Sequence, residues 1–173
     1  SRLDGEGETK SQKNIIASGF LLSVLGALLF IAAGMPGIRI YYQFSSAQAL
    51  VREYGIQYAQ IIFAFSLGMF IEAAGTKVLQ ARSNMVLPMS AQVAGAAVNI
   101  VLDPILIFGY LGFPVMGIRG AAVATVIGQW TAMVIVMAGF IKRYSMPFGR
   151  VNLHYCIRVL RAGAPSIIMQ CLY

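Results

Sequence analysis

Within the segment Asn99-Ile100-Val101-Leu102-Asp103-Pro104, a carboxylate, an amide and a proline fall within a turn and a half of otherwise apolar chain. An Asp at the centre of a membrane helix costs about 2.5–3.5 kcal/mol on insertion. Such a residue usually faces a bundle interior, pairs with a neighbour, or marks an ion or proton path. Asn99 and Asp103 are four residues apart and so share a helical face, which Gln92, Gly95 and Ala96 extend. Pro104 has no N–H, so the carbonyl of Ile100 loses its helical partner. A free carbonyl beside a carboxylate and an amide makes an oxygen cage of the kind that suits a hard cation. The lack of thiolate or imidazole at this depth argues against a transition metal. The competing reading is a buried Asp that only hydrogen-bonds a neighbouring helix.

Thr125 is the expected partner from the next helix. Asp103 lies seven residues before the end of its span at Tyr110, and Thr125 nine residues after the next span begins at Met116. At about 1.5 Å per residue both lie roughly 10–14 Å below the same boundary. A tight turn between the two helices makes them antiparallel neighbours, so hydroxyl and carboxylate are expected to meet. A second acid, Glu72, shares a face with Gly68 and Thr76 at four-residue spacing. It lies near the other end of its span, where it is expected to serve a substrate or secondary role or to pair with Lys77 or Arg82. Glu72, Thr76 and Gln92 therefore form a secondary set beside Asp103, Asn99 and Thr125.

These residues need apolar elements to hold them, and the sequence supplies such elements. Of 173 residues, 58% are hydrophobic and 11% charged, against roughly 25% charged in soluble domains. Uncharged runs extend over Asn14–Gly34, Tyr54–Ile71, Met85–Leu102 and Gly120–Ile141. A hydrocarbon core of about 30 Å needs about 20 apolar residues as helix. The runs do not alternate as barrel strands would. The expected fold is all-α, a polytopic transmembrane helix bundle with spans at about 14–34, 55–79, 86–110 and 116–141. Met35-Pro36-Gly37 is expected to be a turn, and 38–54 an amphipathic stretch on the outer surface, with Tyr41, Tyr42 and Tyr54 at the membrane boundary. The tail 1–13 is expected to be a loop, and Gly112-Phe113-Pro114 a tight outer turn. Residues 152–161 read as an interfacial inner helix. Gly120, Ala124, Gly128 and Ala132 form a small-residue row, with Gly117, Ala121 and Thr125 in a second. Such rows let helix backbones approach closely.

Charge placement sets the expected orientation. Arg2, Lys10, Lys13, Lys77, Arg82, Lys142, Arg143, Arg150, Arg158 and Arg161 fall in one alternating set of connections, while Arg39, Arg52 and Arg119 fall in the other. Cytoplasmic loops carry the excess of Lys and Arg, so the tail, the 77–85 connection and the 142–161 connection are placed inside. This dispersal also argues against nucleic acid as the partner of the net charge of +7. Cys156 and Cys171 read as packing residues, and His154 as a solvated residue of the basic loop. Zincin, Walker and nucleophile-elbow motifs are absent, so no enzyme activity and no cofactor are expected.

The run from Asn99 to Phe108, followed by Gly112-Phe113-Pro114, Gly117 and Gly120-Ala121-Ala122-Val123-Ala124-Thr125, resembles the multidrug and toxic compound extrusion (MATE) family. Ser1-Arg2-Leu3 with Gly5 resembles the family's loop after its second helix, and Gly163-Ala164-Pro165 the start of its seventh. Asp4, Gln80 and Ser83 depart from the family pattern at loop positions. The resemblance implies helices three to six of a twelve-helix, two-lobe transporter. Residues 1–150 would be amino-terminal-lobe helices, and 151–173 the cytoplasmic interfacial helix and start of the second lobe. The sequence opens without Met and a new apolar stretch begins at Ala162, so the partner helices are expected outside this chain.

The same resemblance implies export of small amphipathic cations in exchange for Na⁺ or H⁺, by alternating access, in the lipid of the cell inner (plasma) membrane. Asn99, Asp103 and Thr125 would then belong to the cation site of the amino-terminal lobe. Two alternatives stand beside this expectation: a lipid-linked glycan flippase of similar architecture, and a non-transporting membrane scaffold.

Overall fold

The computed structural model of the chain describes residues 9–45, 49–144, 154–161 and 163. The described residues are helical apart from short connections, as the apolar runs require. Helix α1 spans Thr9–Ser45, α2 Ala49–Ala64, α3 Leu67–Ala81, α4 Val86–Phe108 and α5 Ile118–Tyr144, with a short 3₁₀ turn at Tyr110–Gly112. Residues 154–161 are also helical, with His154 exposed and Cys156 buried. Cys171, Ala164 and Pro165 lie outside the described residues. Within α1, α4 and α5, the segments Gln12–Tyr42, Val86–Phe108 and Ile118–Lys142 are long and apolar enough to cross a membrane, and the α2–α3 pair passes the same test jointly.

Three expectations about the elements need correction. The tail is not a loop up to residue 13, because α1 begins at Thr9. The first helix does not end at Gly34: it runs through Pro36 to Ser45. A proline costs one backbone hydrogen bond, but opening the chain in hydrocarbon would strand several polar groups at once. The expected surface stretch is thus divided between the end of α1 and the start of α2, and residues 46–48 lie outside the described residues. The second span is also not one helix. It breaks at Phe65-Ser66, and α2 and α3 meet there at 51°.

The break has a visible chemical cause. Ser66 Oγ donates to the carbonyl of Phe63 at 2.9 Å, and the indole N–H of Trp130 on α5 donates to the carbonyl of Phe65 at 3.2 Å. The Trp130 ring occupies the space that a side chain at position 68 would need, and Gly68 leaves it free: a Cβ there would lie 2.8 Å from the ring. Backbone groups freed at the kink are therefore answered by side chains, one of them from another helix.

Helix α5 packs against α4, α3 and α2, while α1 lies on α2 and α3. The buried core gathers Leu79, Ala91, Val136 and Phe140, flanked by Ile16, Phe20, Val78, Leu87 and Ile135. Leu21, Leu25, Leu28 and Leu29 of α1 are exposed, which is ordinary for a surface that meets lipid.

The α4–α5 pair is close because the expected small-residue row faces α4. Gly120, Ala124, Gly128 and Ala132 are all buried. A Cβ on Gly95 would stand 2.6 Å from the Gly128 carbonyl oxygen, and one on Gly128 would stand 2.7 Å from that of Gly95. The two backbones are therefore in contact. The turn joining these helices starts at Gly109, whose φ of 74° ends α4 in the left-handed conformation. It then folds back, with Met116 N–H donating to the Leu106 carbonyl (3.1 Å) and Gly117 N–H to that of Ile107 (3.2 Å).

Candidate functional site

That fold-back sets the register of the site. Helix α5 begins opposite Leu106 and Ile107 instead of opposite Tyr110. Thr125 consequently stands level with Asn99, not Asp103. Asn99 Nδ2 donates to Thr125 Oγ1 at 3.4 Å, a long bond, and Thr125 Oγ1 donates to the carbonyl of Ala121 at 2.9 Å. The expected meeting of the Thr125 hydroxyl with the Asp103 carboxylate does not occur. Counting residues from each span end overlooked the stretch of turn that lies beside the end of α4.

Asp103 is half-buried, and its Oδ1 is buried with no hydrogen-bond partner. Among the described residues no hydrogen bond joins it to Asn99 or Thr125. A buried carboxylate oxygen without a donor is costly, and it is an acceptor that a proton or a hard cation would satisfy. Pro104 continues α4 without a break, leaving the Ile100 carbonyl with no N–H at the position it would normally use.

Of the two expectations for Glu72, the pairing with Lys77 or Arg82 is not found. Glu72 Oε1 accepts a hydrogen bond from Thr76 Oγ1 at 2.7 Å within α3, not from Lys77 or Arg82. Lys77 is exposed, and Arg82 donates to Gln12 Oε1 at 3.2 Å. Glu72 turns into a cavity of about 250 Å³ between α3, α4 and α5. Met69, Glu72, Gln92, Gly95, Ala96, Asn99, Thr125, Gly128, Gln129 and Ala132 line it. The structure thus brings Glu72, Gln92, Asn99 and Thr125 together around one space, with Thr76 buried behind Glu72. Asp103, one helical turn along α4 from Asn99, lies outside that lining.

Sequence reasoning missed Gln129. Its Oε1 is buried without a hydrogen-bond partner, and the residue lines the same cavity. The signal was present: an amide one turn from Thr125, inside an uncharged run, must either find a partner or face a polar space. Trp130, on the same helix, caps the α2–α3 break with its indole N–H.

Comparison with known proteins agrees with this architecture. The MatE family model matches residues 1–105. The chain belongs to the MatE family. Among MatE relatives, the probable multidrug resistance protein NorM of Thermotoga maritima is 26% identical over 168 residues, covering 95% of this chain and 36% of that protein. The probable multidrug resistance protein YoeA of Bacillus subtilis is 32% identical over 123 residues, covering 66% of this chain and 27% of its own length. An inward-facing multidrug resistance MATE transporter of the MOP superfamily superposes with a TM-score of 0.82 at 23% identity, over 95% of this chain and 38% of that one. A MOP superfamily transporter from Pyrococcus furiosus, described as having a binding pocket of reversed polarity, superposes at 0.75 with 26% identity, over 92% of this chain and 36% of that one. This MatE chain therefore spans roughly a third of the length of these relatives. The relatives are transporters, not enzymes.

Proposed function

We propose that the full protein is a secondary antiporter that exports amphipathic cations in exchange for Na⁺ or H⁺ by alternating access, and that it resides in the cell inner (plasma) membrane. The observation that carries the cation half of this reading is the charge of the cavity lining. Among the described residues, Glu72 is the one ionisable group in the lining, and no Lys or Arg lines it. A flippase for lipid-linked glycans carries a phosphate anion and needs cationic groups in its cavity, so this lining speaks against that alternative. The family relationship speaks in the same direction. Residues 1–150 would contribute to one lobe and 151–173 would lead into the other, and the remaining helices would be partners of the same polypeptide.

Asp103 is the coupling residue in this reading, supported by its unpartnered buried oxygen. A dehydrated cation or a proton can occupy that oxygen, while the Ile100 carbonyl adds a second acceptor along α4. Asn99 and Thr125 stand between this oxygen and the cavity, where they connect the ion's position with the substrate's. Expression of the full-length protein with a fluorescent organic cation tests the function: efflux should follow an imposed Na⁺ or proton gradient. The absence of gradient-dependent efflux for every cationic dye tried removes the antiport reading.

Orientation follows from the Lys and Arg asymmetry. The connection after α3 should be cytoplasmic and the Gly109–Gly117 turn external. Asn84 is a poor labelling site, because its Oδ1 accepts from Leu87 N–H at 3.4 Å, near the start of α4. Ser83 and Phe113 are exposed. Cysteine at position 113 should react with an impermeant reagent in intact cells, and cysteine at position 83 only after lysis. The reverse pattern inverts the topology.

A further inference from the structure

Helix α2 is weakly anchored. None of its residues is buried, whereas α3 contributes Gly68, Gly75, Thr76 and Leu79 to the interior. The core of Leu79, Ala91, Val136 and Phe140 gathers toward the end of α5, while α2 is bonded to α5 near its start and middle. Two α5 side chains make those bonds. The Trp130 indole N–H donates to the Phe65 carbonyl at 3.2 Å, at the break. Arg119 Nε donates to Gln57 Oε1 at 3.0 Å, and Gln57 Nε2 donates in turn to Glu53 Oε1 at 3.3 Å, both at the surface.

The backbone at the break is sparsely bonded. Ser66 N–H donates to the Phe63 carbonyl at 3.3 Å, and Phe70 N–H to the Ser66 carbonyl at 3.2 Å. Among the described residues, no backbone hydrogen bond runs directly between α3 and α2. In a continuous helix the Phe63 carbonyl would accept from Leu67 N–H, and the Phe65 carbonyl from Met69 N–H. Here Ser66, through N–H and Oγ, takes the first carbonyl and Trp130 takes the second. Each carbonyl has two alternative donors, one for a bent span and one for a straight span. In hydrocarbon it needs one or the other. Phe30 of α1 touches both sides of the break, stacked on Phe63 at 4.5 Å and tilted against Phe70 at 5.6 Å. An apolar space of about 540 Å³, lined by Phe65, Val126, Ile127, Trp130 and Val134 among others, gives the Trp130 ring room to withdraw.

We propose that α2 is a hinged arm, latched to α5 by Trp130 and Arg119, that turns about Phe65-Ser66 when the Phe63 and Phe65 carbonyls exchange side-chain donors for the N–H groups of Leu67 and Met69. Helices α3 and α4 and the end of α5 stay packed. Donors are exchanged one for one, so the two states lie close in free energy and a single side-chain donor moves the balance. An arm of 16 residues is about 24 Å long, and removing the 51° bend carries its tip about 20 Å. In alternating access this opens one end of the lobe while the packed end stays closed. That consequence rests on the export reading, whereas the hinge itself does not.

Distances between paired spin labels on the full-length protein in lipid nanodiscs test the hinge. In a background without other cysteines, Leu50→Cys with Phe108→Cys reports the arm, and Lys77→Cys with Lys142→Cys reports the packed end. All four positions are exposed. Trp130→Phe keeps a ring and removes the indole donor, and Ser66→Ala removes the Oγ donor. Each should raise the ratio of straight to bent arm by about two- to tenfold, the range of one hydrogen bond. The change is read as growth of a shifted population for the 50–108 pair, with the 77–142 distance constant. If Trp130→Phe loses the 77–142 distance, Ser66→Ala alone decides. An unchanged 50–108 distribution in a variant that retains the 77–142 distance, or a shift of both pairs in Ser66→Ala, overturns the hinge. Gradient-driven dye efflux is scored separately: its absence with a moving arm removes antiport but retains the hinge, and efflux with a fixed arm does the reverse.

Discussion

Asp103→Asn is expected to abolish gradient-driven efflux while leaving the protein in the membrane at its usual abundance. Asparagine keeps the shape and removes the charge, so packing of α4 persists. The substitution also removes an acid whose insertion costs about 2.5–3.5 kcal/mol at mid-membrane, so abundance should not fall. Truncating one partner of a buried charge pair typically costs about 2–5 kcal/mol, which is a loss of about thirtyfold or more in affinity for the coupling ion. Asn99→Ala and Thr125→Ala should each weaken coupling by about two- to tenfold, the range of one hydrogen bond. Their effects should be non-additive, because the two side chains bond each other. The check is efflux in vesicles under separate Na⁺ and proton gradients, with the amount of inserted protein measured in parallel. Normal efflux by Asp103→Asn, with unchanged dependence on both ions, would make Asp103 a packing residue and move the coupling site to helices outside this chain.

Gly128→Val is expected to cause the largest structural loss. The Cβ alone would come within 2.7 Å of the Gly95 carbonyl oxygen and 3.1 Å of the Asn99 Cβ. Neither atom can yield without moving α4 away from α5. Overpacking of this kind costs about 1–3 kcal/mol or more. The separation would also open the already long Asn99–Thr125 hydrogen bond, so ion coupling should suffer even in molecules that remain folded. Gly128→Ala should show a smaller effect in the same direction. Gly19 in α1 supplies the control: a Cβ there meets nothing within 4 Å, so Gly19→Ala should be neutral or stabilising by up to about 1 kcal/mol through helix propensity. Thermal unfolding of the detergent-purified protein reads all three. Equal melting of Gly128→Val and Gly19→Ala would show that the α4–α5 contact tolerates separation.

These two expectations differ in where they become legible. The Gly120, Ala124, Gly128 and Ala132 row could be read from spacing alone, because four-residue periodicity fixes one helical face before any partner is known. That the face meets Gly95, so that both glycines are needed, is a property of the assembled pair. In the same way, Asp103 stood out in the sequence because a charge inside an apolar run is costly wherever the helix packs. Its distance from Thr125 did not, since a shift of one turn between neighbouring helices changes which side chains touch and leaves every apolar pattern intact.

The amino-acid sequence by itself determined that this chain is a set of apolar helices, where most of them run, and which residues inside them are polar enough to demand a purpose. Those properties are additive along the chain: hydropathy, charge gaps and helical periodicity need only local information. The tertiary structure decided the rest. It carried α1 through Pro36 and broke the second span at Ser66, where Trp130 from α5 takes up the Phe65 carbonyl. It turned Glu72 toward Thr76 and a shared cavity, away from the basic connection that sequence proximity favoured. It also added Gln129 to the site and set Asp103 one turn beyond its rim. The Ser66 break and the shared cavity depend on helices far away in sequence, because in hydrocarbon a polar group has no water to turn to and takes its partner from its own helix or from whichever helix lies beside it.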